Sequence, residues 1–290
     1  MLNMDWHIHS RYSPCSGAAG SLADIVDQAA RQGVQHFGVT DHLHCRLNLP
    51  GIENCRREFD ALGPVNGFHF GIEVSCLREW DIQQNDARGA NGSRFGVQPD
   101  GPDDSDLTVF LPDGLRERLG VEYVIGGAHW PLGAALKRDA MIRSYHRQNM
   151  FLAHHPDVDI VAHPWWWMGA WEDSDGVYRT LPWFDNFKVI PESLHREFAG
   201  AVIEHHKAVE INAEMLVAPN YPQHFPEQYL EYLALLKSCG VTFSVGSDAH
   251  TPSDMNRLSK VENYIRELGL TPEELWSVTD SIADSSDNIP

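Results

Sequence analysis

Basic side chains are scarce in this chain of 290 residues. Its 22 Lys and Arg face 41 Asp and Glu, a formal net charge of -19, and so acidic a surface repels nucleic acid phosphates and anionic lipid headgroups. Neither nucleic acid nor a membrane is therefore an expected partner. Also lacking is any run of about 18 apolar residues, and the N-terminus has no basic stretch leading into an apolar core. No transmembrane helix and no secretory signal are expected, and the chain reads as cytoplasmic. Cysteines are few: Cys15, Cys45, Cys55, Cys76 and Cys239 are odd in number and without paired spacing, which disfavours a disulfide framework and favours a reducing compartment. Nothing resembling Gly-x-Ser-x-Gly or a phosphate-cradling glycine loop stands at a plausible strand-to-helix turn, which argues against serine hydrolases and P-loop enzymes.

What the chain has in excess is histidine, 16 in all. The most telling stretch is Asp5, Trp6, His7, Ile8, His9. In a strand, residues i and i+2 share a face, so His7 and His9 make a chelating edge, with Asp5 as an orienter of an imidazole or an outer ligand. Short apolar runs then recur, each delivering His, Asp or Glu at its C-terminal end. Gln35 to Val39 leads to Thr40, Asp41 and His42, and Gly67 to Ile72 to Glu73. Val121 to Gly127 leads to His129, Val158 to Ala162 to His163, and Thr242 to Val245 to Asp248 and His250. A further strand, Ala208 to Ile211, carries Glu210 and ends near Asn212. The paired glycines Gly126 and Gly127 would let the backbone run close to a bound ligand.

Helical patterns separate these runs: Ser21 (N-cap) to Gln32 with Gly33 as the stop, Arg138 to His154, Glu192 to His206, Pro226 to Cys239 before Gly240, Arg257 to Leu268 and Pro272 to Thr279. The alternation predicts an α/β barrel with its active site at the C-terminal ends of the strands, as one domain over residues 1–290. Arg78 to about Asp106 shows no helical or alternating period and reads as an inserted loop or hairpin over the same face, a lid or specificity loop. A small strand over Leu107 to Leu111 and a short helix over Pro112 to Leu119 complete it. Of the adjacent Trp165, Trp166 and Trp167, at least two are expected in core or loop-anchoring duty, and any that remains could stack a substrate ring. The end from Asp280 reads as frayed.

The strand-end set comprises His7, His9, His42, Glu73, His129, His163, Asp248 and His250, six imidazoles and two carboxylates. A catalytic zinc takes about three protein ligands and keeps one position for water, so the set suits about two or three divalent ions if a carboxylate bridges. Mixed N/O sites of this kind accept Zn, Mn or Fe.

The succession of Asp5-Trp-His7-Ile-His9, Thr40-Asp41-His42, Gly71-Ile-Glu73, Gly127-Ala-His129, Ala162-His163-Pro164 and Gly246-Ser-Asp248-Ala-His250 closely resembles the PHP superfamily, named for polymerase and histidinol phosphatase. The resemblance spans about residues 4 to 270. It implies a distorted (β/α)7 TIM-like barrel with a trinuclear metal centre and phosphoesterase activity on a small phosphorylated molecule. It further implies that His7, His9, Glu73 and Asp248 form the first site, His42 and His250 part of the second, and Glu73, His129 and His163 the third, with Glu73 as bridge. Where the family usually carries His or Asp, six residues after the second histidine, this chain has Cys15. A thiolate there can ligate Zn or Fe and would give the second site altered affinity or redox sensitivity.

The expected mechanism is attack on phosphorus by a metal-activated hydroxide, with no protein nucleophile. Glu73, Asp248 and Asp41 are the carboxylates assigned to catalysis. Arg11, Arg46, Arg78, His195, Arg257 and Lys188 are the candidate phosphate-holding cations. Histidinol phosphate is the best-known family substrate, with a nucleotide or another phosphomonoester or diester as alternatives. Two rival readings stay open: an amidohydrolase-type enzyme acting on amides or esters, and a non-catalytic metal-binding PHP module.

Overall fold

The computed structural model describes residues 3–15, 20–97, 101–102, 104–135, 137–166, 183, 185–217 and 221–278. The strands, in chain order, are β1 (Met4–Ile8), β2 (His36–Leu43), β3 (Phe68–Ser75), β4 (Leu77–Arg78), β5 (Leu107–Thr108), β6 (Tyr123–Gly127), β7 (Ile160–Ala162), β8 (Ala208–Asn212) and β9 (Thr242–Gly246). All but β4 and β5 form one parallel sheet in the order β1-β2-β3-β6-β7-β8-β9. The sheet curls until its edges meet: His9 N donates to Ala249 O (2.8 Å) and Asp248 N donates to His7 O (2.9 Å). The expected (β/α)7 barrel is therefore present, nearly closed, with its seam joined where the histidines lie.

The strands of this sheet are buried along most of their length, exposed or half-buried only near their N-terminal ends, as a parallel sheet covered by helices requires. Those helices are α1 (Leu22–Gln32), α2 (Leu49–Leu62), α3 (Glu79–Arg88), α4 (Leu115–Leu119), α5 (Arg138–His154), α6 (Glu192–Glu204), α7 (Ala213–Val217), α8 (His224–Cys239) and α9 (Arg257–Leu268). Helix α1 starts where expected, in a capping box between Ser21 and Asp24, and is closed by Gly33. Under the barrel, Trp6, Tyr123 and Trp276 pack with ring centroids 5.3 to 5.7 Å apart. Trp276 gets there because its N–H donates to Phe243 O (2.7 Å). This corrects the helix expected from Pro272: Pro272–Glu274 is a 3-10 turn, and Leu275 bridges to Phe243. Thr279, the end from Asp280, and Trp167 lie outside the described residues.

The segment from Arg78 holds the expected antiparallel strand pair, β4 with β5, and differs from expectation in containing α3. Helix α3 has no apolar stripe because it buries polar residues, Asp81 and Asn85. Arg78 is 1% exposed and grips Asp81 through Nε (2.7 Å) and Nη2 (2.8 Å). A buried bidentate pair of this kind pins the start of the insertion, and Arg78 is not a rim cation awaiting phosphate.

His195 is corrected in the same way. It lies on the buried face of α6 with Phe187 stacked on it at 5.7 Å and Tyr232 at 4.6 Å. Burial, followed by the nearby His146, lowers its pKa to about 4. The folded chain thus keeps His195 neutral where the unfolded chain would protonate it. Stability is full above the ordinary value of 6.5 and falls as pH drops towards about 4. His195→Phe should remove about 2–3 kcal/mol of the loss between pH 7 and pH 4.5. Urea melts of both proteins at the two pH values read this difference, and parallel losses would contradict it.

Candidate metal centre

The strand ends converge as the sequence predicts. His7, His9, His42, Glu73, His129, His163 and Asp248 are all buried at the C-terminal rim of the barrel. Glu73 sits at the middle, its two oxygens turned to different partners. Oε2 is 2.8 Å from His42 Nδ1, 3.1 Å from His7 Nε2 and 3.5 Å from His9 Nε2. Oε1 is 3.1 Å from His129 Nε2 and 3.3 Å from His163 Nε2. Asp248 Oδ1 closes the other side, 3.2 Å from His9 Nε2 and 3.6 Å from His7 Nε2. Gly127 makes room for this crowding, since a Cβ there would lie 2.6 Å from His129 and 2.9 Å from His163. The glycine thus admits the donor side chains themselves.

The donors fall into overlapping groups whose ligating atoms all lie within 4.8 Å of one another: His7, His9 and Asp248; His42, Glu73 and His129; His9, Cys15, His42 and His250; and Glu214, Asp248 and His250. Their chemistry fits cations. His7 Nε2 and His9 Nε2 face each other at 3.2 Å, and His42 Nδ1 approaches Glu73 without the alignment of a hydrogen bond. Nitrogen and oxygen lone pairs turned toward shared points in a dry interior are costly unless positive charge lies between them. The electrostatics agree. Burial alone would raise the Glu73 carboxyl, yet His42, His7 and His129 hold it well below the usual carboxylate range. Burial would lower His42, but the negative charge of Glu73 and Cys15 pushes it well up. Two donors also stand on left-handed backbone, His163 (φ 28°) and Asp248 (φ 51°), conformations that cost energy and gather at functional sites.

Several supporting residues were beyond sequence reasoning. Glu210 Oε1 accepts from His7 Nδ1 at 2.7 Å and Oε2 from His163 N at 2.8 Å, the carboxylate–histidine arrangement that orients ligand imidazoles. Asn212 Nδ2 donates to both Glu210 (3.1 Å) and Asp248 (3.2 Å). Gly246 leaves the space that Glu210 occupies, where a Cβ would meet its Oε1 at 2.2 Å. Behind His129 stand Ser75 and His44, which share no motif with the strand-end set.

Asp5 and Asp41 do other work than expected. The register of β1 against β2 shifts between Asp5 and Ile8. The Asp5 carboxylate accepts from Ser247 N (2.8 Å) and not from an imidazole. Asp41 takes both the N–H and the hydroxyl of Ser10 at 2.6 Å, holding the loop that leads from His9 to Cys15.

The candidate cations divide. Arg11 pairs with Glu58 (2.8 Å), Arg46 with Asp86 (3.6 Å) and Lys188 with Glu231 (2.8 Å), all on exposed ground. Arg257 also pairs with carboxylates, Glu214 (3.4 Å) and Asp254 (3.3 Å), but it reaches the centre's own loop, donating to Asp248 O at 3.0 Å. Of the described residues of the tryptophan run, Trp166 approaches the imidazoles, 5.0 Å from His163 and 5.8 Å from His129, whereas Trp165 is core. The insertion reaches the rim too: Asn48 Nδ2 donates to Arg94 O (3.0 Å), and the Phe95 ring lies 6.1 Å from His44.

A parallel barrel of seven strands with a buried imidazole–carboxylate cluster at its C-terminal rim defines a barrel protein built around a metal-ligand set. The PHP domain profile matches residues 5–163, and the chain belongs to that family. A probable histidinol-phosphatase of Thermotoga maritima is 24% identical over 268 residues, 91% of each chain. Among solved structures, histidinol phosphate phosphatase from Lactococcus lactis, complexed with Zn, L-histidinol and phosphate, aligns with a TM-score of 0.58 over 93% of this chain and 95% of that one, at 15% identity.

Proposed function

We propose that this protein is a metal-dependent phosphoesterase that hydrolyses a small phosphate monoester, with histidinol phosphate as the first candidate substrate. The observation that carries the reading is Glu73, whose two oxygens face separate sets of imidazoles as a carboxylate shared between cations would. Support comes from the match along 91% of the Thermotoga maritima relative. His7, His9, Asp248 and Glu73 would hold one ion, His42, His250 and Cys15 a second, and Glu73, His129 and His163 a third, with Glu73 shared. Bound divalent ions supply Lewis acidity toward phosphoryl oxygens and a nucleophile at neutral pH.

The chain's own residues do the rest. Glu73 and Asp248 carry the negative charge that keeps cations together in a dry site. Glu210 and Asn212 hold the His7 and Asp248 side chains in register, and Asp41 fixes the loop that brings Cys15 to the rim. Arg257, beside the Asp248 loop, is the cation we assign to the phosphate. The segment from Arg78, whose Phe95 borders His44, would act as a specificity lid. Protein reconstituted with Zn, Mn or Fe should release phosphate from histidinol phosphate or, failing that, a nucleoside monophosphate, and lose the activity on chelation. Turnover of an amide or lactone panel with none on phosphate esters would instead favour an amidohydrolase-type enzyme, and no turnover on either a binding module.

A further inference from the structure

The second nitrogen of His129 opens onto a short buried chain of hydrogen bonds. Ser75 Oγ lies 2.7 Å from His129 Nδ1 and 2.7 Å from His44 Nδ1. All three side chains are buried. Ser75 ends β3, two residues beyond Glu73, and His44 follows β2, two beyond His42. The strands that deliver the donors thus deliver this chain as well. His44 is held firmly: its ring stacks on His42 at 4.3 Å and meets Trp130 at 5.5 Å, and its backbone N–H donates to Asn48 Oδ1 at 2.9 Å.

The direction of the chain follows from counting protons. A hydroxyl has one proton, so Ser75 donates to one imidazole and accepts from the other. His129 turns Nε2 to Glu73 Oε1 at 3.1 Å, and a ligating nitrogen must be free of its proton, which places the proton of a neutral His129 on Nδ1. Nδ1–H of His129 then donates to Ser75 Oγ, the Ser75 hydroxyl donates to His44 Nδ1, and His44 keeps its proton on Nε2. The reverse direction would put the His129 proton on Nε2, where an ion is to bind.

We infer that Ser75 and His44 are positioning residues that lock His129 as an Nε2 donor and thereby set the affinity of the ion it holds with Glu73. The inference rests on reading the cluster as a metal centre. It also separates His129 from His7, whose Nδ1 faces the Glu210 carboxylate at 2.7 Å. A charged acceptor raises the basicity of its imidazole more than a hydroxyl does, so the lock on His129 is the weaker one.

The experiment pairs chelator-competition titrations of zinc with nitrogen-15 spectra of the histidine rings in the zinc-loaded protein. In wild type, His129 should appear as the Nδ1–H form and His44 as the Nε2–H form. Ser75→Ala and His44→Leu should each weaken one equivalent of zinc by about 10–100-fold, leaving the other equivalents and the Tm of metal-free protein unchanged. His44→Asn, whose amide oxygen offers an acceptor near the place of Nδ1, should recover most of the loss. A His44 Nδ1–H signal would overturn the lock, as would unaltered affinities in Ser75→Ala. Uniform weakening of every equivalent together with a lower Tm would also overturn it, by showing packing alone. Wild type that takes up no zinc would overturn the metal-centre reading and this inference with it; wild type that binds zinc beside unaffected variants overturns the lock only.

Discussion

Glu73→Gln should release two ions from the reconstituted protein at once and lower phosphate ester hydrolysis on the order of 10³-fold, about 4 kcal/mol of barrier. The substitution keeps the shape and removes the charge. Oε1 faces His129 and His163, and Oε2 faces His42, His7 and His9, so one amide would weaken both sets together. Adjacent divalent ions in a site with no exposed side chain at Glu73 would also lose the anion that screens their mutual repulsion. His163→Ala, by contrast, removes one terminal donor and should cost one ion. Metal analysis of both variants after reconstitution and desalting decides the matter. Equal losses across the ligand set would count against a bridge.

The second large effect is expected at Cys15. Its sulfur is grouped with His9, His42 and His250, all four donor atoms within 4.8 Å of one another, and Ser13 Oγ lies 3.1 Å from it. Burial opposes ionisation of this thiol, but His42 and His9 outweigh it and bring the pKa to about 3. The sulfur is therefore a thiolate at neutral pH, the form that binds metals and reacts with oxidants. Cys15→Ser should lower occupancy of one ion about 100-fold, and Cys15→Asp, which restores the charge, should largely recover it. Peroxide should likewise strip that ion from wild type and leave Cys15→Asp untouched. Full metal content and activity in both variants would make Cys15 a packing residue, with His42, His250 and water left to hold the second ion.

How far the sequence reached depends on what each residue touches. The ring of histidines was legible because each ends an apolar strand, and strand ends in a parallel barrel meet at one rim. Glu210 escaped because its role exists only through His7 and His163, far away in the chain. Ser75 and His44 escaped although each lies two residues beyond a strand-end donor, because their role exists only through His129, which comes from another strand. His195 misled for the opposite reason: its polar ring is enclosed by Phe187, Trp165 and Tyr232, aromatics brought from three separate segments. Helix α3 was hidden by burying Asp81 and Asn85 in place of an apolar face. Asp5 meets Ser247, 242 residues away in the chain, a contact that local alternation cannot reveal.

Metal-free protein, titrated with zinc or manganese while phosphate release from histidinol phosphate and bound metal are followed on the same sample, tests the central claim most directly. No turnover is expected before metal is added, with activity that rises as about two or three equivalents bind and is lost on chelation. Turnover by metal-free protein, or binding that saturates at a single equivalent, would contradict the claim.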